Sequence, residues 1–344
     1  MLTISPASQD IESYIQWRIY DMKYGSPNLR DLLEENQSLK GKIIQAVVEK
    51  YSEIFNLARL QMDVISELTT KGEVQEALET LPMEESEFYG QAIKRIKNQK
   101  HHSDKALRIL AWTLCAKRPL SVREMQLAAG IKPREYREDF EDFTLKKNDI
   151  VDFCGGLVLV NSDSGTVAFA HLTINEYLQS ASKSIFPTEP EKVIASTCLT
   201  YLSFYPFKSG SCPSDKEFES RLEQNVLLGY ASRHWGEHAE SVQDQVLDEA
   251  CLFLMDDNLV SCGVQAMLFS GFVKDLTKDY SQGFPKRTTG LHLTARFGLL
   301  YLSERLLLQP TGRRSRGLQQ NGHEAVVKLL LEQKAEADSK DVEG

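Results

Sequence analysis

Between residues 100 and 183 the apolar spacing changes period, and that change limits the folds open to this chain. Ser103 opens a helical pattern carrying Ala106, Leu107, Leu110 and Leu114. After Arg118-Pro119 comes Leu120-Ser121-Val122-Arg123-Glu124-Met125, a capping box. Ser121 and Glu124 each satisfy the other's exposed amide, and Leu120 and Met125 supply the flanking staple. This predicts a short helix from Val122 to about Ala129, with Gly130 as a left-handed C-cap. A third helix around 148–154 ends at Gly155-Gly156. Leu157-Val158-Leu159-Val160 and Val167-Ala168-Phe169-Ala170 then flank the turn cluster Asn161-Ser162-Asp163-Ser164-Gly165, a hairpin pattern. His171 leads into a further helix bearing Ile174, Tyr177 and Leu178.

Three helices followed by a β-hairpin wing is the order of a winged helix. Elsewhere the pattern is helical. Asp10 caps a helix carrying Ile11, Tyr14, Ile15 and Ile19, and Ser26-Pro27-Asn28 breaks it. Ile44, Val47, Val48, Tyr51, Phe55, Ala58, Met62 and Ile65 form one long stripe, read as core. Gly72 opens a turn before a short helix that Pro82 stops, and Phe88, Tyr89, Ala92, Ile93 and Ile96 mark another. Past Pro187 and Pro190, which mark a boundary, helices resume and run beyond Met267. The expected fold is mainly α: a helical segment, a winged helix with a small hairpin, a helical linker and partial repeats.

The repeat signal stands at the end. Thr289-Gly290-Leu291-His292-Leu293-Thr294-Ala295 resembles the ankyrin signature, whose Thr and His tie the turn to the first helix. Gly298 ends that helix, and Leu302, Leu306 and Leu307 form the apolar face of the next. The second half recurs at Gly322-His323 through Leu331, yet Gly298 and Gly322 stand only 24 residues apart. The ankyrin period is roughly 33. The intervening basic stretch, with Arg313, Arg314 and Arg316, holds no second signature. The tail reads as a truncated array, and residues beyond about Leu308 are expected to be the least stable part of the fold.

Further motifs extend the resemblance. Asp10 to Ile15, Phe55 to Met62 and Glu76-Ala77-Leu78-Glu79-Thr80-Leu81-Pro82 resemble segments of fungal NACHT–ankyrin signalling proteins. Arg118 to Glu124, Cys154 to Val158 and His171 to Leu178 resemble that family's winged helix, the type also named for GPI inositol-deacylase. Tyr230 to His238 resembles the helical linker that precedes its ankyrins. The resemblance implies an end of a NACHT-like ATPase module at 1–27 and a helical segment at 28–99. It implies the winged-helix domain at 100–183, a helical linker at 184–283 and truncated ankyrin repeats at 284–344. It implies a non-enzymatic role in nonself recognition or programmed cell death, with protein partners through the ankyrin region and a separate NACHT ATPase module as another partner. The family's phosphate loop is missing. Gly312 to Gly317 is followed by Leu318-Gln319 rather than Lys-Ser/Thr, so no ATP site and no cofactor is expected.

Charge and composition narrow the alternatives. A formal charge of -9 argues against a nucleic-acid or anionic-membrane surface, both of which need clustered Lys and Arg. A winged helix reads DNA through its third helix, and a DNA-binding regulator is the first alternative. Against it, Lys146-Lys147 is offset by Asp149 and Asp152, with Glu138, Asp139, Glu141 and Asp142 just before. The second alternative is a zinc hydrolase, because His234-Trp235-Gly236-Glu237-His238 matches H-x-x-E-H. It lacks a third ligand, and Gly236 weakens its helix. No G-x-S-x-G elbow is present, and the adjacent His101 and His102 read as solvated. Cysteines 115, 154, 198, 212, 251 and 262 have neither zinc nor dithiol spacing and read as reduced core thiols. The first residues lack the basic start and apolar run of a signal peptide, and no apolar run approaches the ~20 residues of a membrane helix. A cytoplasmic protein is expected.

Overall fold

The computed structural model describes residues 8–21, 26–51, 55–80, 82, 84–136, 144–269 and 279–308. Gly322, His323 and the arginine-rich stretch lie outside them, as do Glu138, Asp139, Glu141 and Asp142. The fold is mainly α, and the sheet found among the described residues is a two-stranded hairpin. The chain divides into two compact units. One comprises residues 1–100, 155–159 and 169–180; the other comprises 101–154, 160–168 and 181–344.

The first unit is built from α1 (Ser8–Tyr20), α2 (Pro27–Glu34), α3 (Gln37–Tyr51), α4 (Phe55–Glu67), α5 (Lys71–Glu79) and α6 (Glu85–Lys97). Ile11, Ile15 and Ile19 of α1 are buried at four-residue spacing, opposite Leu29 and Leu33 of α2. The break expected at Ser26-Pro27 separates α1 from α2, and it also caps α2. The Leu29 amide donates to Ser26 Oγ, and Pro27 fills the first turn, where its missing N–H costs nothing. The single long stripe resolves into two helices with a shifted face. Leu39, Ile43 and Val47 are the buried positions of α3, while Ile44 and Val48 are half-buried. Adjacent apolar pairs leave the face ambiguous by one residue, and packing decides it. Gly72 lies inside α5, whose cap is the Thr70–Glu73 box.

The second unit contains α7 (Ser103–Cys115), α8 (Val122–Gly130) and α9 (Lys147–Asp152). Strands β1 (Val158–Val160) and β2 (Val167–Phe169) form the hairpin, and α10 (Leu172–Ser180) packs with α6 in the first unit. There follow α11 (Ser182–Ile185), α12 (Pro190–Leu202), α13 (Asp215–Gln224), α14 (Leu228–Ala239), α15 (Leu247–Leu254), α16 (Asp257–Phe269), α17 (Gly290–Phe297) and α18 (Leu300–Leu307). Helix α12 is the hub: it packs on α7, α14 and α15. Pro187 stands between α11 and α12, and Pro190 opens α12. Gly130 is not left-handed; Ile131 leaves the helix extended and its amide closes the end on Leu127 O. All six cysteines are free, and four are buried. Burial raises the Cys115 thiol to about 11, so it stays protonated at neutral pH. No single described helix is long and apolar enough to cross a membrane.

Two glycines allow helices to touch. A Cβ on Gly236 in α14 would lie 2.2 Å from the Phe297 ring, and one on Gly290 would lie 2.2 Å from Leu254 O. Phe297 stacks edge-on against Trp235 at 5.2 Å, so it has little room to yield. Gly236→Ala is expected to cost about 1–3 kcal/mol through overpacking. Gly72→Ala, where a Cβ meets nothing within 4 Å, is expected to gain about 0.5–1 kcal/mol. Urea denaturation of both variants checks the opposite signs.

Candidate functional site

The winged region is assembled by short-range polar bonds. Ser121 Oγ accepts from the Glu124 amide at 3.3 Å, and Glu124 Oε2 accepts from the Ser121 amide at 2.8 Å. Arg118 grips the same carboxylate with two nitrogens, at 2.6 and 3.1 Å. The residues around this cap also pair with the far strand of the wing. The Val122 amide donates to Gly165 O at 3.1 Å and the Val167 amide to Leu120 O at 2.9 Å, with Ser121 bridged to Thr166. The wing turn is closed by Asn161 Oδ1, which accepts from the Asp163 and Ser164 amides, and by left-handed Gly165.

Residues 93–186 match the family model described as GPI inositol-deacylase, winged helix domain. This stretch is a winged helix. No curated protein and no solved structure matches the chain. The match encloses the expected 100–183 and begins inside α6.

The surfaces with which a winged helix reads DNA are not basic here. Helix α9 is six residues long and carries Lys147 against Asp149 and Asp152. Asp149 is also spent locally, accepting from the Lys146 amide at 3.3 Å. The wing tip is Ser162-Asp163-Ser164, exposed and acidic. Lys146 and Lys147 are thus matched by Asp149 and Asp152, so α9 offers phosphate no net positive charge.

The C-terminal signature residues form a tight helix pair. Thr289 caps α17: its amide donates to His292 Nδ1 at 3.1 Å, and its hydroxyl lies 2.8 Å from the same nitrogen. Leu291 and Ala295 are buried, and Gly298 ends the helix in the left-handed region at φ 70°. Ser303 Oγ of α18 donates to Thr294 Oγ1 at 2.8 Å inside the pair. Thr289, Leu291, His292, Ala295 and Gly298 are thus brought together.

The H-x-x-E-H stretch lies on α14, and its histidines are committed to other partners. His238 is fully buried, with Nδ1 bonded to Glu191 and Nε2 to the Tyr230 hydroxyl at 2.8 Å. A carboxylate only accepts, so Nδ1 carries the proton, and both ring nitrogens are engaged. His234 pairs with Glu237 at 3.2 Å. Gly236 is the seat of Phe297, not a defect in the helix.

Sequence reasoning missed the long-range pairs. Glu191 with His238 and Lys117, Trp112 against Tyr230, and Arg134 on Glu249 join residues far apart in the chain. None has a local spacing that announces it.

Ser121→Ala is expected to destabilise by about 1 kcal/mol through the lost cap. Glu124→Ala is expected to cost more, since it also strips Arg118 of its carboxylate. Denaturation midpoints rank the two; an unchanged midpoint for Ser121→Ala would remove the cap from the account.

Proposed function

We propose that this chain is a non-enzymatic regulatory and protein-binding protein. In this reading it is the end part of a fungal NACHT–ankyrin type signalling protein, with the winged helix working as a regulatory element beside an ATPase module. The observation that carries it is the charge balance on a matched winged helix: Lys146 and Lys147 at α9 are offset by Asp149 and Asp152, and the wing tip carries Asp163, so neither offers phosphate a net positive charge. The ankyrin reading of α17–α18 rests on the Thr289–His292 tie and the left-handed Gly298, and the region holding Gly322 and His323 would continue the array. Neighbouring repeats stack to bury a shared face, so a protein partner is the natural ligand of such a surface.

The test mixes the purified chain with a separately purified NACHT ATPase module. Co-elution on size exclusion and a changed rate of ATP turnover by that module are the expected results. The chain alone should not turn over ATP or bind duplex DNA. Saturable, salt-dependent DNA binding together with no effect on the ATPase would overturn the proposal.

A further inference from the structure

Three large apolar side chains stand exposed at the ends of α15 and α18. Leu252 is 48% exposed, Met255 45% and Leu308 74%. Met255 and Leu308 are the residues at which the two helices stop, and Leu252 lies one turn before Met255.

These two helix ends lie together. Near the start of α18 the Leu302 amide donates to Gln243 Oε1 at 3.3 Å, a short way before α15 begins. At the other end Gly290, the first residue of α17, presses on Leu254 O, the last of α15. The α17–α18 pair reverses at Gly298-Leu299, and Ser303 meets Thr294 at mid-length, so α18 runs back toward the start of α17. Its end at Leu308 therefore emerges beside the end of α15, where Leu252 and Met255 are exposed. The charges at this end are mostly acidic. Asp256 and Asp257 follow Met255, and Glu304 is exposed on α18. The neighbouring cation, Arg305, lies over the Tyr301 ring at 4.9 Å.

The sequence that continues from Leu308, outside the described residues, has the complementary chemistry. Residues 309–331 carry Arg313, Arg314, Arg316 and Lys328 against Glu324, in a chain whose formal charge is -9. Val326, Val327, Leu330 and Leu331 follow at helical spacing. Residues 309–321 span up to roughly 45 Å when extended, so a segment that begins at Gly322 reaches any point at this end of the unit. Tethering holds its local concentration on the order of millimolar, so even a weak contact is populated.

We infer that the chain's own 322–331 segment docks on this face. Val326, Val327, Leu330 and Leu331 cover Leu252, Met255 and Leu308, with the arginines of 313–316 beside Asp256 and Asp257. A protein that uses the same face must first displace the tail, so the tail sets how available the face is. The docking needs no ankyrin character in α17 and α18, only the exposed side chains, the charges and the reach.

Limited trypsin digestion of the full chain, followed by mass spectrometry, reads the docking through cleavage at Arg313, Arg314 and Arg316. Met255→Glu alters an exposed position and is expected to keep the fold, which circular dichroism checks. It is expected to speed cleavage at the three arginines by about tenfold or more, as is Leu330→Glu from the other side of the contact. Leu172→Glu, an exposed leucine of the first unit, is expected to leave the rate unchanged. Light scattering is expected to show a monomer. Unchanged cleavage in folded Met255→Glu overturns the inference, as does an equal effect of Leu172→Glu. A wild-type dimer that Met255→Glu dissociates also overturns it, because a second copy would then be the occupant.

Discussion

Trp112 of α7 is fully buried against two residues of α14. Its ring centroid lies 5.4 Å from Tyr230 and 6.3 Å from His238. Tyr230 in turn accepts from the Lys117 amide and bonds His238, and His238 reaches Glu191 on α12. One aromatic contact therefore joins the first helix of the winged region to the helices that follow it, and a buried polar chain fixes their register. Losing a buried aromatic of this size costs about 3–5 kcal/mol, a large share of a typical domain's stability. An unpaired His238 or Glu191 would add its own desolvation penalty, so the network is stable only when complete. Glu191 shows the balance. Burial alone would raise its carboxyl, but the bonds to His238 and Lys117 hold it below the ordinary value.

This constraint shapes what the winged helix has left to offer a partner. Helix α7 is occupied on α8 and α12. Among its exposed parts are α9, which is charge-balanced, and the wing tip, which carries Asp163. A surface of that kind suits a protein neighbour better than a phosphate backbone. The same packing passes on to the C-terminal pair, because Gly236 and Gly290 let α17 settle against α14 and α15. The H-x-x-E-H pattern is thereby explained as packing chemistry: one histidine holds a buried tyrosine, and the glycine seats a phenylalanine.

Features with partners three or four residues apart were legible in the sequence. The Ser121–Glu124 cap, the Asn161–Gly165 turn and the Thr289–His292 tie all depend on local spacing, and so did the helix–hairpin–helix order. Errors arose where tertiary packing overrides a local rule. Gly130 has the residue type of a left-handed cap, yet Ile131 leaves the helix extended and buries its side chain instead. The α3 face was displaced because neighbouring Ile43 and Ile44 are equally apolar.

Trp112, Tyr230 and His238 tie α7 and α14 into one cooperative unit, so the two helices are expected to open together. Native-state hydrogen exchange measures this directly, because it gives an opening free energy for each stretch of backbone. Amides in the interior of Ser103–Cys115 and of Leu228–Ala239 are expected to share one opening free energy, and Trp112→Leu is expected to lower both together. If α7 exchanges through a separate, lower-energy opening while α14 keeps its protection in Trp112→Leu, the two helices are independent and the aromatic contact does not couple them.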